Sequence, residues 1–285
     1  MKMIERYSVL SNCDIEEEIG ENILIYPFEM KNVRGASYNL TVSKLAWDLE
    51  TGDSIYDSTT NIVKIEPGKT AAIQTHEAIW VSSRITGSYH SKVKYVTEGL
   101  SHIGTTLDPL YLGNSLITVH NYGYKPITWS AEEETFASLV FYYVNTESTI
   151  NPMGNNPPGR QELLRNFHVS SQEYRWLNET FRTDKDSLED KLKSDSADFQ
   201  RLLEKRRKKQ QNQANSKAIK NKKLFRLLAI ISWIVIVLIL IYLQVKKVEY
   251  DGKQWYDWLV NGLYALVYIP PASLGAYLLQ EALKD

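Results

Sequence analysis

From Leu227 to Leu243 the chain reads LLAIISWIVIVLILIYL, seventeen residues without a charge, and Leu224 and Phe225 lengthen the run across Arg226. About 20 such residues span the hydrocarbon core of a bilayer. A buried core helix could also use the run, but one this long ordinarily keeps a polar face. A transmembrane helix over 224–243 is therefore the expectation. A second stretch, WLVNGLYALVYIPPASLGAYLL at 258–279, has Asn261 near its start and Pro270-Pro271 in its middle. Proline is tolerated in membrane helices whose neighbours re-satisfy the freed carbonyls. A second, kinked span is expected there, ahead of an interfacial or re-entrant segment. Trp255, Tyr256 and Trp258 suit the boundary between water and lipid.

Charge sets the orientation. Net charge is −1, yet residues 201–223 carry ten Lys or Arg against the single Glu204. By the positive-inside rule the segment before Leu224 faces the cytosol. Two spans joined by 244–257 would return the tail 280–285 to the same side, giving a membrane protein with both its N-terminal domain and its C-terminus cytoplasmic. The first 25 residues are charged, with DIEEEIGE among them, and lack a signal-peptide pattern. The basic run itself, EKRRKKQQ followed by KAIKNKK, reads as topology-setting and lipid-attracting, at about 1 kcal/mol per cation near an anionic surface; a nucleic-acid patch is the alternative. One cysteine, Cys13, excludes an internal disulfide. It also excludes the zinc cytidine deaminase pattern, which needs a P-C-x-x-C pair.

Residues 1–150 read as β-rich. Short apolar runs such as NILIYPF, SYNLTVSKLAW and ASLVFYYV are separated by turns such as ETGD, EPGK and NYGYKP, the spacing of a compact sandwich or barrel. Residues 1–159 carry 19 acidic against 11 basic groups, which argues against a duplex-DNA binder. NPMGNNPPG at 151–159 reads as a linker. Residues 160–223 then turn Glu-, Lys-, Gln- and Leu-rich, and 160–222 contain no Pro or Gly, which predicts a charged helix. Leu177, Phe181, Leu188, Leu192, Phe199 and Leu203 follow a near-heptad stripe, interrupted where Asp184 and Asp195 stand in the seam. An oligomeric coiled-coil stalk is expected, ahead of an amphipathic helix packed on the β domain.

The N-terminal module resembles the dUTPase and dCTP deaminase superfamily, and its deaminase branch more closely. GASYNLTV at 35–42 resembles the family's first motif, with Asn39 in place of Asp. IEPGKTAAIQTHEAIWV at 65–81 resembles the Pro-Gly strand with its Thr-x-Glu step, here Thr75 to Glu77. GSYHSKVKYVTEGL at 87–100 has the length of the Gly, Arg-Ser-Ser, Arg, Gly-Leu segment. TLDPLYLGNSLITVHNYGYKPI at 106–127 carries Asp108, Pro109, Tyr111, Gly113, Asn121, Gly123 and Pro126 at family positions, and ETFASLVFYY resembles the closing strand. The resemblance covers about residues 20–145 and implies a dUTPase-like β-barrel or jelly roll, a nucleotide held between the subunits of a homotrimer, and Lys92, Lys94, Asp108, Tyr111, Gly113 and Asn121 as its binding residues. Each has a plainer reading as well: Gly113 and Gly123 serve turns, Asn121 ties a loop, and Tyr111 fills core.

The departures bear on activity. Where the family's Arg-Ser-Ser binds phosphates, this chain has Lys92, Val93 and Lys94, and the later Arg is Thr97. A lysine is a point charge without arginine's bidentate fork. The deaminases' general-base Glu position is Thr118, and the family's His before the Asp is Thr105. A threonine hydroxyl cannot take the proton a carboxylate takes, and such help is worth 10²- to 10⁴-fold. As a catalytic residue only Asp108 remains, in the dUTPase role of orienting water, with Mg²⁺ carried on the phosphates. The glycine-rich arm that closes dUTPase sites is replaced by the linker, whose NPPG could mimic a short lid. The scattered histidines His76, His90, His102 and His120 read as structural or solvated, so no cofactor is certain.

Three functions follow: a membrane-anchored module that binds or senses a nucleotide without deaminating it, extending to a membrane effector in bacterial antiviral responses; an active membrane-tethered deaminase or dUTP pyrophosphatase; and an oligomeric scaffold with an empty site. The first is the expectation.

Overall fold

The computed structural model describes residues 9–102, 104–150, 158–245 and 254–267. Helix α1 (Asn12–Glu18) opens with Ser11 and Asp14 in a reciprocal capping box. The strands that follow are β1 (Ile23–Tyr26), β2 (Val33–Arg34), β3 (Ser37–Asp48), β4 (Tyr56–Asp57), β5 (Ile62–Ile65), β6 (Thr70–Val81), β7 (Ile85–Ser91), β8 (Leu100–His102), β9 (Thr106–Leu107), β10 (Leu112–Asn121), β11 (Ile127–Ser130) and β12 (Thr135–Tyr143), with helix α2 (Val93–Thr97) between β7 and β8. The main sheet runs β8-β10-β6-β3-β12-β7-β9, with β1 on β6 and β2 on β3, while β11-β5-β4 form a smaller sheet.

Long β3 curves the sheet into a half-barrel. Its first part pairs with β12 and its second with β6. The register slips between Val42 and Ala46, where the Ser43 hydroxyl accepts from the Leu45 amide at 3.0 Å. A bulge of this kind bends a strand and strengthens its twist. Nearly every residue of β3 and β6 is buried, on both faces. One face packs Tyr38, Leu40, Val42, Ile73 and Ile79 into the main core. On the other, Leu45 and Trp47 pack against Leu164 and Leu177 from beyond the β domain.

That second layer corrects the expectation for 160–223. In place of one helix there are a 3-10 segment (Pro158–Asn166), helices α3 (Ser171–Leu177), α4 (Thr180–Thr183) and α5 (Lys185–Asp195), and the start of α6 (Ala197–Val245). Residues 158–203 form a strap. Its stripe is used within the chain: Leu177, Leu188, Leu192 and Phe199 are buried in the two cores, and Phe181 and Leu203 pack against the larger one. The two aspartates that spoil a coiled-coil seam mark helix breaks. Asp184 caps α5, accepting from the Ser187 amide at 2.8 Å. Asp195 ends α5, and the Ser196 hydroxyl accepts from the Phe199 amide at the start of α6. The compact unit accordingly runs to Leu203 and not to residue 150. Residues 151–157 of the expected linker lie outside the described residues.

The second unit begins at Glu204. There α6 continues through the basic run into the apolar one, with Leu224, Leu227, Ile231, Leu238 and Ile241 exposed. Among the described residues no helix is long and apolar enough to cross a membrane, so neither expected span is shown. Side chains of the first are described at 224–239, 241 and 242. Of the second, a helix Gln254–Val267 is described, while 268–279, the connection 246–253 and the tail 280–285 lie outside the described residues.

Candidate functional site

The segments singled out in the sequence fall on the β domain in order. GASYNLTV enters β3, the Pro-Gly turn joins β5 to β6, the Lys92 segment runs β7-α2-β8, the Asp108 segment runs β9-β10-β11, and β12 closes the set. Their polar side chains collect in two clefts.

The first cleft, about 500 Å³, is cationic and includes Arg34, Lys92, Lys94, Tyr95, Glu134 and Thr135 in its lining. Lys92 stands at the N-cap of α2 and its ammonium donates to the Thr135 hydroxyl. Burial, and then the neighbouring cations Arg34 and Lys94, push the Lys92 pKa down. Lys94 lies with its Nζ 4.7 Å from the Tyr95 ring centre. With Lys31, Glu133 and Glu134 also in the lining, the cleft carries four cations against two carboxylates. Arg34 belongs to none of the quoted motifs; its only sequence signal is a cation directly before GASYN. Thr97, where the family has a second Arg, turns its hydroxyl back onto the Lys94 carbonyl at 2.7 Å and stays exposed.

The second cleft, about 130 Å³, is lined by Tyr89, Thr105, Thr106, Asp108, Tyr111, Ser115, Leu116 and Leu163. Asp108 follows β9, and its carboxylate accepts from the Thr106 hydroxyl at 3.5 Å. The turn passes through Leu110 at φ +64°, a left-handed conformation that a branched side chain enters at a cost of roughly 1–2 kcal/mol. The Tyr89 and Ser115 hydroxyls meet at 2.5 Å, and the Tyr111 hydroxyl donates to the Asn114 carbonyl at 2.6 Å. Burial above all pushes the Tyr89 phenol up, so it stays protonated. Tyr89, Ser115 and Leu163 were not singled out in the sequence, where a Ser within an apolar strand was the available signal.

The remaining expected residues are not in the lining of either cleft. Asn121 is fully buried; its amide nitrogen donates to the Ile65 and Lys125 carbonyls at 3.0 and 2.8 Å, and its oxygen accepts from the Gly123 amide at 2.9 Å. It ties the loop. Gly113, at φ +126°, pairs with Ile79 in the sheet. Thr118 is half-buried on β10, on the face that Leu116 and His120 share. Leu116 on that face packs against the strap cluster containing Leu164 and Phe167. His76, His90, His102 and His120 stay apart in role, and no group of three or more His, Cys, Asp or Glu among the described residues could hold a metal ion.

The clefts share no lining residue. In the β7–β9 ladder Gly87 faces Leu107, so Asp108 falls opposite Thr86. Six residues of strand, about 20 Å at 3.3 Å each, separate that point from Lys92.

In sequence the β domain is similar to two dCTP deaminases. The dCTP deaminase of Thermococcus sibiricus is 27% identical over 148 residues, which cover 52% of this chain and 92% of that protein. The dCTP deaminase of Pyrococcus horikoshii is 26% identical over 147 residues, with the same shares covered. Among solved structures, the 2'-deoxycytidine 5'-triphosphate deaminase of Agrobacterium tumefaciens aligns over 49% of each chain at 12% identity with a TM-score of 0.41. No protein-family model matches the chain.

Proposed function

We propose that the β domain binds a nucleotide through its phosphates without deaminating it, in a homotrimer whose sites form between copies, and that the apolar stretch of α6 ties the chain to a membrane. The observation that carries this reading is the pairing of a kept anion site with a lost base. Arg34, Lys92 and Lys94 line one cleft, while the general-base position is Thr118. Deamination needs a group that takes a proton from water, and an uncharged hydroxyl does not do so at neutral pH. Two clefts without a common residue fit a ligand that takes phosphate contacts from one copy and Asp108 from its neighbour.

The membrane part rests on α6. Its residues 205–223 are rich in Lys and Arg and, apart from half-buried Arg206, exposed, and the run that follows is apolar on every side. A helix hydrophobic all round belongs in a protein core or in lipid. The basic run then holds the β domain on the cytosolic side. A nucleotide that binds two packings of the trimer differently would shift the balance between them, the minimum a membrane effector requires.

A pyrophosphatase is the second reading, favoured by the place of Asp108 in a polar cleft. The full chain in detergent micelles, incubated with dCTP, dUTP and other nucleotides plus Mg²⁺, separates the readings when melting and product are followed together. The expected result is a higher Tm without product; ligand at 100 times its Kd adds about 2.7 kcal/mol. Product that disappears in Asp108→Asn would establish the enzyme instead. No shift with any nucleotide would leave a scaffold with an empty site. For the membrane part, flotation with anionic vesicles should survive high salt; elution by salt would reduce the attachment to the basic run alone.

A further inference from the structure

Arg182, on the four-residue helix α4, is 4% exposed. Its guanidinium carbon lies 3.4 Å from the Trp176 ring centre and 4.5 Å from that of Phe181. Nε donates to Glu179 at 3.1 Å, and Nη1 donates to the His76 carbonyl and to Asn114 Oδ1, each at 3.2 Å. Packing alone would not select this residue, because an apolar side chain of similar length fills such a place without the cost of dehydrating a cation. What an arginine adds is donors, and two of its contacts reach into the sheet.

They land on a bulge. The β10–β6 register slips between Asn114 and Leu116. The Asn114 amide donates to the Thr75 and His76 carbonyls at 2.8 and 3.2 Å, and the Ser115 amide donates to the Thr75 hydroxyl at 2.9 Å. Bulges re-aim side chains. Here the slip brings the Ser115 hydroxyl to Tyr89, and the Asn114 carbonyl receives the Tyr111 hydroxyl. Tyr89, Tyr111 and Ser115 are walls of the Asp108 cleft. An unbroken chain of contacts, none longer than 3.2 Å, thus joins the strap's cation to three of the cleft's side chains.

We infer that Arg182 is a positioning residue for the Asp108 cleft: its docking on the Asn114–Ser115 bulge fixes Tyr89, Tyr111 and Ser115, so that this one contact and cleft occupancy favour each other. Coupling of this kind is reciprocal; a ligand in the cleft tightens the Arg182 contact by the factor by which that contact tightens the ligand. The ligand half rests on the nucleotide reading above, whereas the bulge half does not.

Hydrogen exchange on the full chain in detergent micelles tests both halves, with Arg182→Met, the milder Arg182→Lys, and Asp184→Ala, which loosens the strap away from the bulge. Arg182→Met should speed exchange of the segment 109–117 at least tenfold, Arg182→Lys should do so less, and Asp184→Ala should leave that segment within twofold while speeding the strap. Equal effects of Arg182→Met and Asp184→Ala on 109–117, or no effect of either arginine variant, would overturn the inference and leave Arg182 a strap anchor. In parallel, dCTP and dUTP are titrated against the same proteins. Arg182→Met should weaken the Kd at least tenfold and Asp184→Ala should not; unchanged affinity in Arg182→Met overturns the coupling. If neither nucleotide binds the wild type, the nucleotide reading fails, and the exchange data alone decide the role of Arg182.

Discussion

The cationic cleft and the Asp108 cleft belong to one β domain and are built by opposite means. The first is open and formed by long side chains at the ends of elements, Arg34 at the end of β2 and Lys92 at the cap of α2. Its four cations, Lys31, Arg34, Lys92 and Lys94, outnumber its two carboxylates, Glu133 and Glu134. The second is about a quarter of that volume. Its tyrosines and serine are buried, Tyr89 bonded to Ser115 and Tyr111 to the Asn114 carbonyl, and the strap lines one side through Leu163. An adaptable charged cleft gives attraction across many anions; a fixed, small one selects what fits. In the proposed trimer, where the two clefts come from different copies, selection would depend on how the copies assemble.

The largest expected effect tests the rigid side. Glu77, fully buried, accepts from the Thr41 amide and hydroxyl and lies two residues from Thr75, which holds the Ser115 amide. Burial pushes its carboxyl up to about 7. A folded-state value above the unfolded one means that the stabilisation is complete below about 4.5 and is lost as pH rises through 7, by up to about 3 kcal/mol. His76, which burial pushes down, works the other way, its contribution being lost as pH falls below about 6.5. Urea denaturation of wild type and Glu77→Gln at pH 5 and pH 8 isolates the carboxyl. Wild type should lose stability relative to the variant on going to pH 8, and identical pH dependence in the two proteins would remove Glu77 from the account.

Next comes the adaptable side. Lys92→Ala with Lys94→Ala should weaken dCTP or dUTP binding about 100-fold, or roughly 2.7 kcal/mol, and wild-type binding should weaken steeply with salt. Tyr89→Phe, on the rigid side, should change affinity without changing the salt slope; a common slope for all three proteins would merge the two clefts into one. Co-expressing the double variant with Asp108→Ala chains sharpens the contrast, since about a quarter of the sites between randomly assembled copies would be intact. Binding that stays absent in the mixture would place both clefts' ligands within one copy. The smallest effect concerns the cover: Asp184→Ala removes a helix cap and should cost about 1 kcal/mol by denaturation, with nucleotide affinity unchanged.

Much of this was legible before the fold was. The segment order, the Pro-Gly turn and the alternating strands depend on local pattern, and the half-barrel follows them. The stripe from Leu177 to Leu203 was also legible, but its partner was not: buried leucines on a helix read alike whether another copy or the same chain covers them. Asp184 and Asp195 held the answer, since aspartate is costly in a seam, and Asp184 is useful as the cap of α5 while Asp195 ends it. Arg34 and Arg182 were out of reach, because each acts through neighbours that are distant in sequence. So was the division of the site, which depends on strand register and not on motif order.

Phe199 rests on Gly20, where an added Cβ would lie 2.7 Å from the ring, and Leu188, Leu192 and Leu202 share the core with the first strands. These four side chains stand for roughly 6–12 kcal/mol of burial at 1.5–3 kcal/mol each, the size of a whole domain's net stability. A protein ended at residue 159 would carry every quoted motif and still expose its core as a sticky face. The place to cut is beyond Leu203, and any gene fusion or domain exchange that treats the barrel as a separable cassette has to carry the strap along.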